Sequence, residues 1–191
     1  MLHLAIRGHD LVFKTDAKVF SPFGLDRGTA AMLSLVEFSE GDSVLDLGCG
    51  YGVVGILAAK LVGQDQVVMV DVDHLAVQLS KENAVLNQVP NVSIYQSDGF
   101  RDVTETGFNL ILSNPPYHTD FSVPKAFIEK GFNRLMVGGR MYMVTKRKEW
   151  YKNKFISIFG GVQISEIDGY YVFMGEKRDK RYAQKKTRHR R

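Results

Sequence analysis

The stretch Ser113-Asn114-Pro115-Pro116-Tyr117-His118 concentrates more potential chemistry than any other six residues of the chain. Neither proline can donate a hydrogen bond, and each restricts the residue before it, so the pair stiffens the local backbone. Held in this way, the Asn114 side-chain oxygen and the Pro115 carbonyl can both accept from one NH2 group, while Tyr117 offers a flat face for stacking. An amine conjugated to a ring is a poor nucleophile because its lone pair is delocalised. Two acceptors gripping its hydrogens favour a pyramidal nitrogen. They also stabilise the positive charge that develops as it attacks, by about 3 kcal/mol per well-placed group. Asn114, Pro115 and Tyr117 are therefore the candidate catalytic residues, and Asn114, Pro116, Tyr117 and His118 the candidate substrate contacts. The plain alternative is a rigid turn without chemistry.

A second cluster reads Asp46-Leu47-Gly48-Cys49-Gly50-Tyr51-Gly52. Glycines let a backbone turn sharply and approach a ligand closely, and a helix start behind them offers free N–H groups. The dinucleotide fingerprint needs glycine at positions one, three and six; counted from Gly48, position six is Val53, so that pattern fails. Asp46 beside the loop would repel phosphate and suit an ammonium group. Asp71 follows 25 residues later and could accept from a ribose diol, with Asp73 placed to cap the next helix. Asp98, in Ser97-Asp98-Gly99-Phe100, could accept from an adenine amine, with Phe100 or Val72 against the ring. Cys49 is expected to be a small buried filler rather than a nucleophile. His3, His9, His74 and His189 lack metal-ligand spacing, so no metal is expected.

These residues need elements to hold them at strand ends. Leu2 to Ile6 and Leu11 to Phe13 read as a small hairpin, and a helix is expected from about Thr29 to Phe38. Strands at Ser43–Leu47, Val67–Val70, Val92–Tyr95, Asn109–Leu112 and Arg140–Val144 alternate with helices at Val53–Val62, Leu75–Asn87, Pro124–Val137 and Trp150–Phe159. Gly138-Gly139 is expected to stop the Pro124–Val137 helix. Val162–Ile167 and Tyr170–Met174 meet at Asp168-Gly169, a strong hairpin signal. Repeated strand-helix-strand units require right-handed parallel crossovers, hence an α/β fold with helices on both faces of the sheet. Ligands of such sheets bind at the carboxyl ends of the strands, where the strand order reverses. That rule directs attention to the glycine loop, Asp71, Asp98 and the Asn114 corner, which follow strands.

The chain of 191 residues suits one sizeable core: a hairpin and lead-in at 1–28, a domain at 29–176 and a basic tail at 177–191. The formal charge is +4, but Lys177 to Arg191 alone carries nine Lys/Arg against one acid. The other 176 residues hold 16 basic and 20 acidic side chains, so the domain is mildly acidic. Such a run is a solvated end or an electrostatic arm for nucleic acid. Lys146-Arg147-Lys148 with Trp150-Tyr151 reads as a phosphate and stacking surface or simply a solvated helix start. One cysteine excludes an internal disulfide and suits a cytoplasmic setting, and no stretch approaches a membrane span.

The glycine loop, the acids at 71 and 98 and the Asn-Pro-Pro-Tyr corner together resemble the class I S-adenosylmethionine-dependent methyltransferases. That resemblance implies a Rossmann-like, seven-stranded, mostly parallel sheet with a C-terminal antiparallel hairpin. It also implies a cofactor, S-adenosyl-L-methionine, held by Asp46, Gly48, Cys49, Gly50, Gly52, Asp71, Val72, Asp98, Gly99 and Asn114. With Val19-Phe20-Ser21, Gly24-Leu25-Asp26-Arg27-Gly28 and Gly169-Tyr170-Tyr171-Val172-Phe173, the match narrows. It then resembles the RsmC-type guanine-N2 methyltransferases of small-subunit ribosomal RNA, in the methyltransferase small domain superfamily. It runs from about Leu11 to Glu176. The expected partner is RNA, as ribosomal RNA or a ribosomal subunit. Enzymes of that type carry a further, degenerate N-terminal domain that helps bind RNA; the basic tail and the 146–148 run are expected to substitute. The resemblance would let Asp26 and Phe20 close over the cofactor, whereas their types alone read as a helix cap and a core residue. Two alternatives stay open: methylation of a protein glutamine amide or small amine, and a silent RNA-binding module on the same scaffold.

Overall fold

The computed structural model describes residues 1–116 and 120–183. A two-stranded hairpin, β1 (Leu2–Ile6) and β2 (His9–Phe13), precedes helix α1 (Arg27–Leu35). The main sheet follows, with β3 (Val44–Leu47), β4 (Val67–Asp71), β5 (Ser93–Gln96), β6 (Phe108–Ser113), β7 (Leu135–Thr145), β8 (Gln163–Ile167) and β9 (Tyr170–Glu176). Between them lie α2 (Val53–Val62), α3 (His74–Leu86), α4 (Ser122–Arg134) and α5 (Glu149–Phe159). The strand order is β5-β4-β3-β6-β7-β9-β8, parallel except for β9, which runs antiparallel to both neighbours. The order reverses between β3 and β6, so their carboxyl ends frame the crevice that such sheets use for ligands. Among the described residues, no helix is long and apolar enough to cross a membrane.

Period-two alternation divides the core. Val44, Met69, Leu112 and Val144 face one layer with α1, α2, α3 and the hairpin, while Leu45, Val70, Ile111 and Met143 face α4 and α5. Helix α2 is apolar nearly all round because it is covered on every side. The hairpin is docked by two asparagines one turn apart, Asn83 on α3 and Asn87 at its C-cap. Asn83 accepts the Lys14 N–H at 2.7 Å and donates to the Lys14 carbonyl at 2.9 Å. Asn87 does the same for Val12 at 3.0 and 2.7 Å. Each amide thus stands in for a neighbouring strand. Asn83 also donates to the Tyr51 carbonyl at 2.8 Å, which ties the hairpin to the glycine loop.

Two expectations about local structure need correction. Helix α4 stops at Arg134, before the glycine pair, and Gly138-Gly139 lie inside β7. There Gly138 has φ +90°, and a Cβ on Gly139 would sit 2.7 Å from the Phe108 carbonyl oxygen, where the β6–β7 register shifts. The glycines make a bulge, not a helix stop. Lys177, counted with the solvated tail, is buried, and its ammonium donates to the carbonyls of Phe132 at 2.8 Å and Leu135 at 2.9 Å. These carbonyls lie at the end of α4, where the Phe132 oxygen also accepts the Leu135 N–H, and a lysine is suited to bind carbonyls at a helix C-terminus. Ala183 N–H also bonds the Ile158 carbonyl, so the chain stays packed past Glu176.

Candidate active site

At the β3/β6 reversal lies a cleft of ≈ 470 Å³, and most of the residues singled out from the sequence line it. Asp46, Gly48, Cys49, Gly50, Asp71, Val72, Asp98, Gly99, Asn114, Pro115 and Pro116 are all on its wall. Tyr117 and His118, expected to stack on and touch the substrate, lie outside the described residues.

The glycine loop is built as a left-handed turn, with φ of +79° at Gly48, +56° at Gly50 and +110° at Gly52. Non-glycine residues adopt such angles at a cost of about 1 kcal/mol or more each. The N–H groups of Gly48 and Cys49 both reach the Val70 carbonyl at 2.9 Å, and Ser80 Oγ donates to the Gly50 carbonyl at 2.7 Å. Asp71 Oδ2 accepts the Gly50 N–H at 2.8 Å and Oδ1 the Asp73 N–H at 2.9 Å, so the carboxylate also clasps the loop. Each oxygen retains acceptor capacity beyond the one bond. Asp73 caps α3 through the Leu75 N–H at 3.0 Å, as its position suggested. Gly52 faces the other way: it does not line the cleft, and a Cβ there would press on Ile56, Met69 and Ser80.

Asp46 is 2% exposed, and its Oδ2 accepts the Gly55 N–H at 2.8 Å. Burial pushes its carboxyl up to about 7; the Gly55 hydrogen bond opposes that rise and the Asp71 charge adds to it. The same burial, with Asp46 nearby, pushes the Cys49 thiol well above its ordinary range. That suits a filler and not a nucleophile.

Asn114 follows β6 directly, and its Nδ2 donates to Asp26 Oδ2 at 2.9 Å and to Thr29 Oγ1 at 3.1 Å. A carboxylate can only accept, so the nitrogen end of the amide must face Asp26 and the orientation of the side chain is set. Asp26 is at once the N-cap of α1, accepting the Thr29 N–H at 2.8 Å. Its motif residue Gly28 leaves no room for a side chain, since a Cβ would lie 2.8 Å from the Tyr170 ring and 3.0 Å from Asp26 Oδ2. Asp26 and Thr29 are the site residues that their types alone did not reveal. The cap pattern at Asp26 was visible, but a contact spanning 88 residues of sequence leaves no local signal.

The lead-in to α1 walls the cleft. Tyr51 Oη donates to the carbonyls of Ser21 at 3.0 Å and Gly24 at 3.4 Å, and burial with the Asp26 charge pushes that phenol up to about 12. Thr15 Oγ1 holds the Pro22 carbonyl at 2.9 Å. Phe20, whose type suggests core, is 55% exposed and lines the cleft, because this lead-in passes over the mouth and not under it. On the far wall Phe100 is buried in the core, and Phe127 with Val72 takes the place expected for it. Asp98 is exposed at the rim beside Gly99. Among the described residues, no group of three or more His, Cys, Asp or Glu could hold a metal ion.

The geometry has counterparts in known proteins. The sequence profile of the methyltransferase small domain matches residues 10–174. The uncharacterized protein YbxB of Bacillus subtilis is 34% identical, over 90% of this chain and 89% of its own length. Ribosomal RNA small subunit methyltransferase C of Pseudomonas putida is 33% identical over 81% of this chain, which spans only 48% of that enzyme. Among solved structures, the Thermus thermophilus 16S rRNA N2 G1207 methyltransferase RsmC, in complex with AdoMet and guanosine, superposes with a TM-score of 0.86 at 28% identity. It covers 93% of this chain and 50% of its own. A Pyrococcus furiosus methyltransferase shares the fold at a TM-score of 0.70 and 18% identity, over 87% of this chain and 89% of its own.

Proposed function

Since the chain belongs to the methyltransferase small domain family, we propose that it moves a methyl group from S-adenosyl-L-methionine to an exocyclic nitrogen of an RNA base, specifically guanine N2 in ribosomal RNA. The observation that carries this reading is the Asn114 amide, held on the cleft wall by Asp26 and Thr29 beside the stiff Pro115-Pro116 corner.

The residues present fit this cofactor. A Cβ on Gly48 or Gly50 would meet nothing within 4 Å, so the loop leaves open space where a ligand can approach the backbone. Asp71, with buried Asp46 beside it to ionise as a cation binds, supplies negative charge for an amino-acid ammonium. Asp71 is the acceptor for ribose hydroxyls, and Asp98 and Gly99, with Val72 and Phe127, form the adenine end. When bound, S-adenosylmethionine supplies an electrophilic methyl on a sulfonium. What the chain adds is alignment. Asn114 Oδ1 and the Pro115 carbonyl accept the two hydrogens of the base amine, orient its lone pair and oppose charge build-up on the nitrogen. Stacking by Tyr117 and a contact from His118 complete the proposed base site. Guanine N2 is favoured because the 28%-identical RsmC structure holds guanosine and AdoMet together. The setting that goes with this substrate is the cytoplasm.

The test is mass mapping of modified nucleosides in rRNA from a strain lacking the gene, followed by methylation of that rRNA in vitro with tritiated donor. Loss of one N2-methylguanosine, restored by the purified chain, is the expected result. Label entering protein with none in rRNA would reject the proposal in favour of a glutamine amide. Failure to bind S-adenosylmethionine in calorimetry would point to a silent binding module.

A further inference from the structure

We propose that the run Lys146-Arg147-Lys148 is a backbone-binding edge of the site, gripping phosphates of the RNA nucleotides that flank the target base. This inference rests on the RNA reading given above and names the surface that reading needs.

Position comes first. Ser113 of β6 pairs in register with Met143 of β7. Continued past the strand ends, the same register brings Lys146 level with Pro116, so the run emerges beside the Asn114-Pro115-Pro116 corner. All three cations are exposed, and among the described residues none makes an ion pair with a carboxylate. In a domain otherwise mildly acidic, three consecutive cations without an ion-pair partner beside this corner create a local positive potential.

Aromatic rings underlie each of them. The Arg147 guanidinium lies 5.0 Å from the Phe121 ring centroid, and Phe121 stacks on Trp150 at 4.5 Å with an interplanar angle of 10°. The Lys146 ammonium lies 5.0 Å from the Tyr170 ring and that of Lys148 5.7 Å from the Tyr171 ring. Cation–π contacts hold a cation in place without neutralising it. The heads therefore stay available to an anion while their side-chain freedom is already reduced, which lowers the ordering cost of binding. Phe121 also begins α4, the element that resumes the chain after the reactive corner, so the Arg147–Phe121 contact joins the charged edge to the base site. A polyanion running past a base held at Asn114 meets this edge.

The experiment compares the full chain with a K146Q/R147Q/K148Q variant. Binding of a fluorescein-labelled 12-nucleotide single-stranded RNA is followed against KCl, and methylation kinetics are measured on rRNA from the deletion strain. For two or three lost phosphate contacts, the log–log salt slope should fall by about 2. The KM for rRNA should rise roughly 10- to 100-fold, with kcat within about threefold and donor affinity unchanged. K146R/K148R should behave as wild type, as should Lys81→Gln, an exposed cation on α3. Unchanged slope and KM in the triple variant, with an active wild type, would overturn the surface and leave the function standing. Loss of kcat with KM unchanged would overturn it too, by assigning the run to the catalytic step. A wild-type chain that neither binds this RNA nor methylates rRNA would overturn both.

Discussion

Asp26 and Asn114, 88 residues apart, share a hydrogen bond of 2.9 Å in which one carboxylate oxygen caps α1 and orients the amide on the opposite wall of the cleft. The start of a helix and the end of a strand are thereby locked together on the wall of the cleft. Asp26→Ala should lose both functions: about 1 kcal/mol of stability from the cap and roughly 10- to 100-fold in kcat from the unguided amide. Asp26→Ser separates them. Serine can still cap α1, but it is too short to reach Asn114, so denaturant melts should recover while kcat stays low. Full recovery of kcat in the serine variant would reduce Asp26 to a cap.

Asn114 itself is expected to act on the transition state and not on cofactor binding. Asn114→Ala should lower kcat by roughly 100-fold or more while donor affinity in calorimetry stays nearly constant. A loss of donor affinity of similar size would move Asn114 to the cofactor side of the cleft.

The raised Asp46 carboxyl predicts two pH effects of opposite use. With a folded value of about 7 against 3.8 as the ordinary value, the folded state holds a proton that the unfolded chain has released. Stability contributed by Asp46 is therefore full below pH 4 and lost as the pH rises to 7. Asp46→Asn should flatten that decline in denaturant melts. A cationic ligand favours the ionised form, so donor binding should release protons near neutrality and tighten as the pH rises from 6 to 8. Calorimetry in buffers of different ionisation enthalpy measures that release; zero release at pH 7 would mean that Asp46 does not sense the ligand.

Much of the fold was legible because the pattern of buried strands is local. Helix α2 was read at its observed limits, Val53–Val62, from an apolar run ended by Gly63, and the Asp168-Gly169 hairpin followed from turn chemistry. From sequence alone the Gly138-Gly139 bulge reads as a helix stop because a glycine pair signals both, and only the approach of the Phe108 carbonyl distinguishes them. Lys177 reads as part of the tail because of the charge run that follows it, whereas its partners, Phe132 and Leu135, are more than 40 residues away. The cleft residues that could be found were those at strand ends. Phe127, on the inner side of α4, and Asp26, before α1, reach the cleft through tertiary packing that no spacing rule encodes.

Gly50 and Gly52 have alike backbones and different surroundings, and substitution should tell them apart. Both sit at positive φ, +56° and +110°, so alanine is strained at either. A Cβ on Gly50 meets nothing within 4 Å and lies on the cleft wall. Gly50→Ala should therefore cost about 1 kcal/mol of stability and weaken donor binding by roughly tenfold or more, since it occupies space the ligand needs. A Cβ on Gly52 would lie 2.9 Å from Ile56 Cδ1 and 3.2 Å from both Met69 Cε and Ser80 Oγ. Overpacking there adds to the backbone strain, so Gly52→Ala should cost about 3 kcal/mol. Because Ser80 holds the Gly50 carbonyl at 2.7 Å, this substitution reaches donor binding only by displacing Ser80. Melts and donor calorimetry on the two variants decide the matter. If Gly50→Ala binds donor as the wild type does, the open space beside Gly50 is not where the cofactor lies.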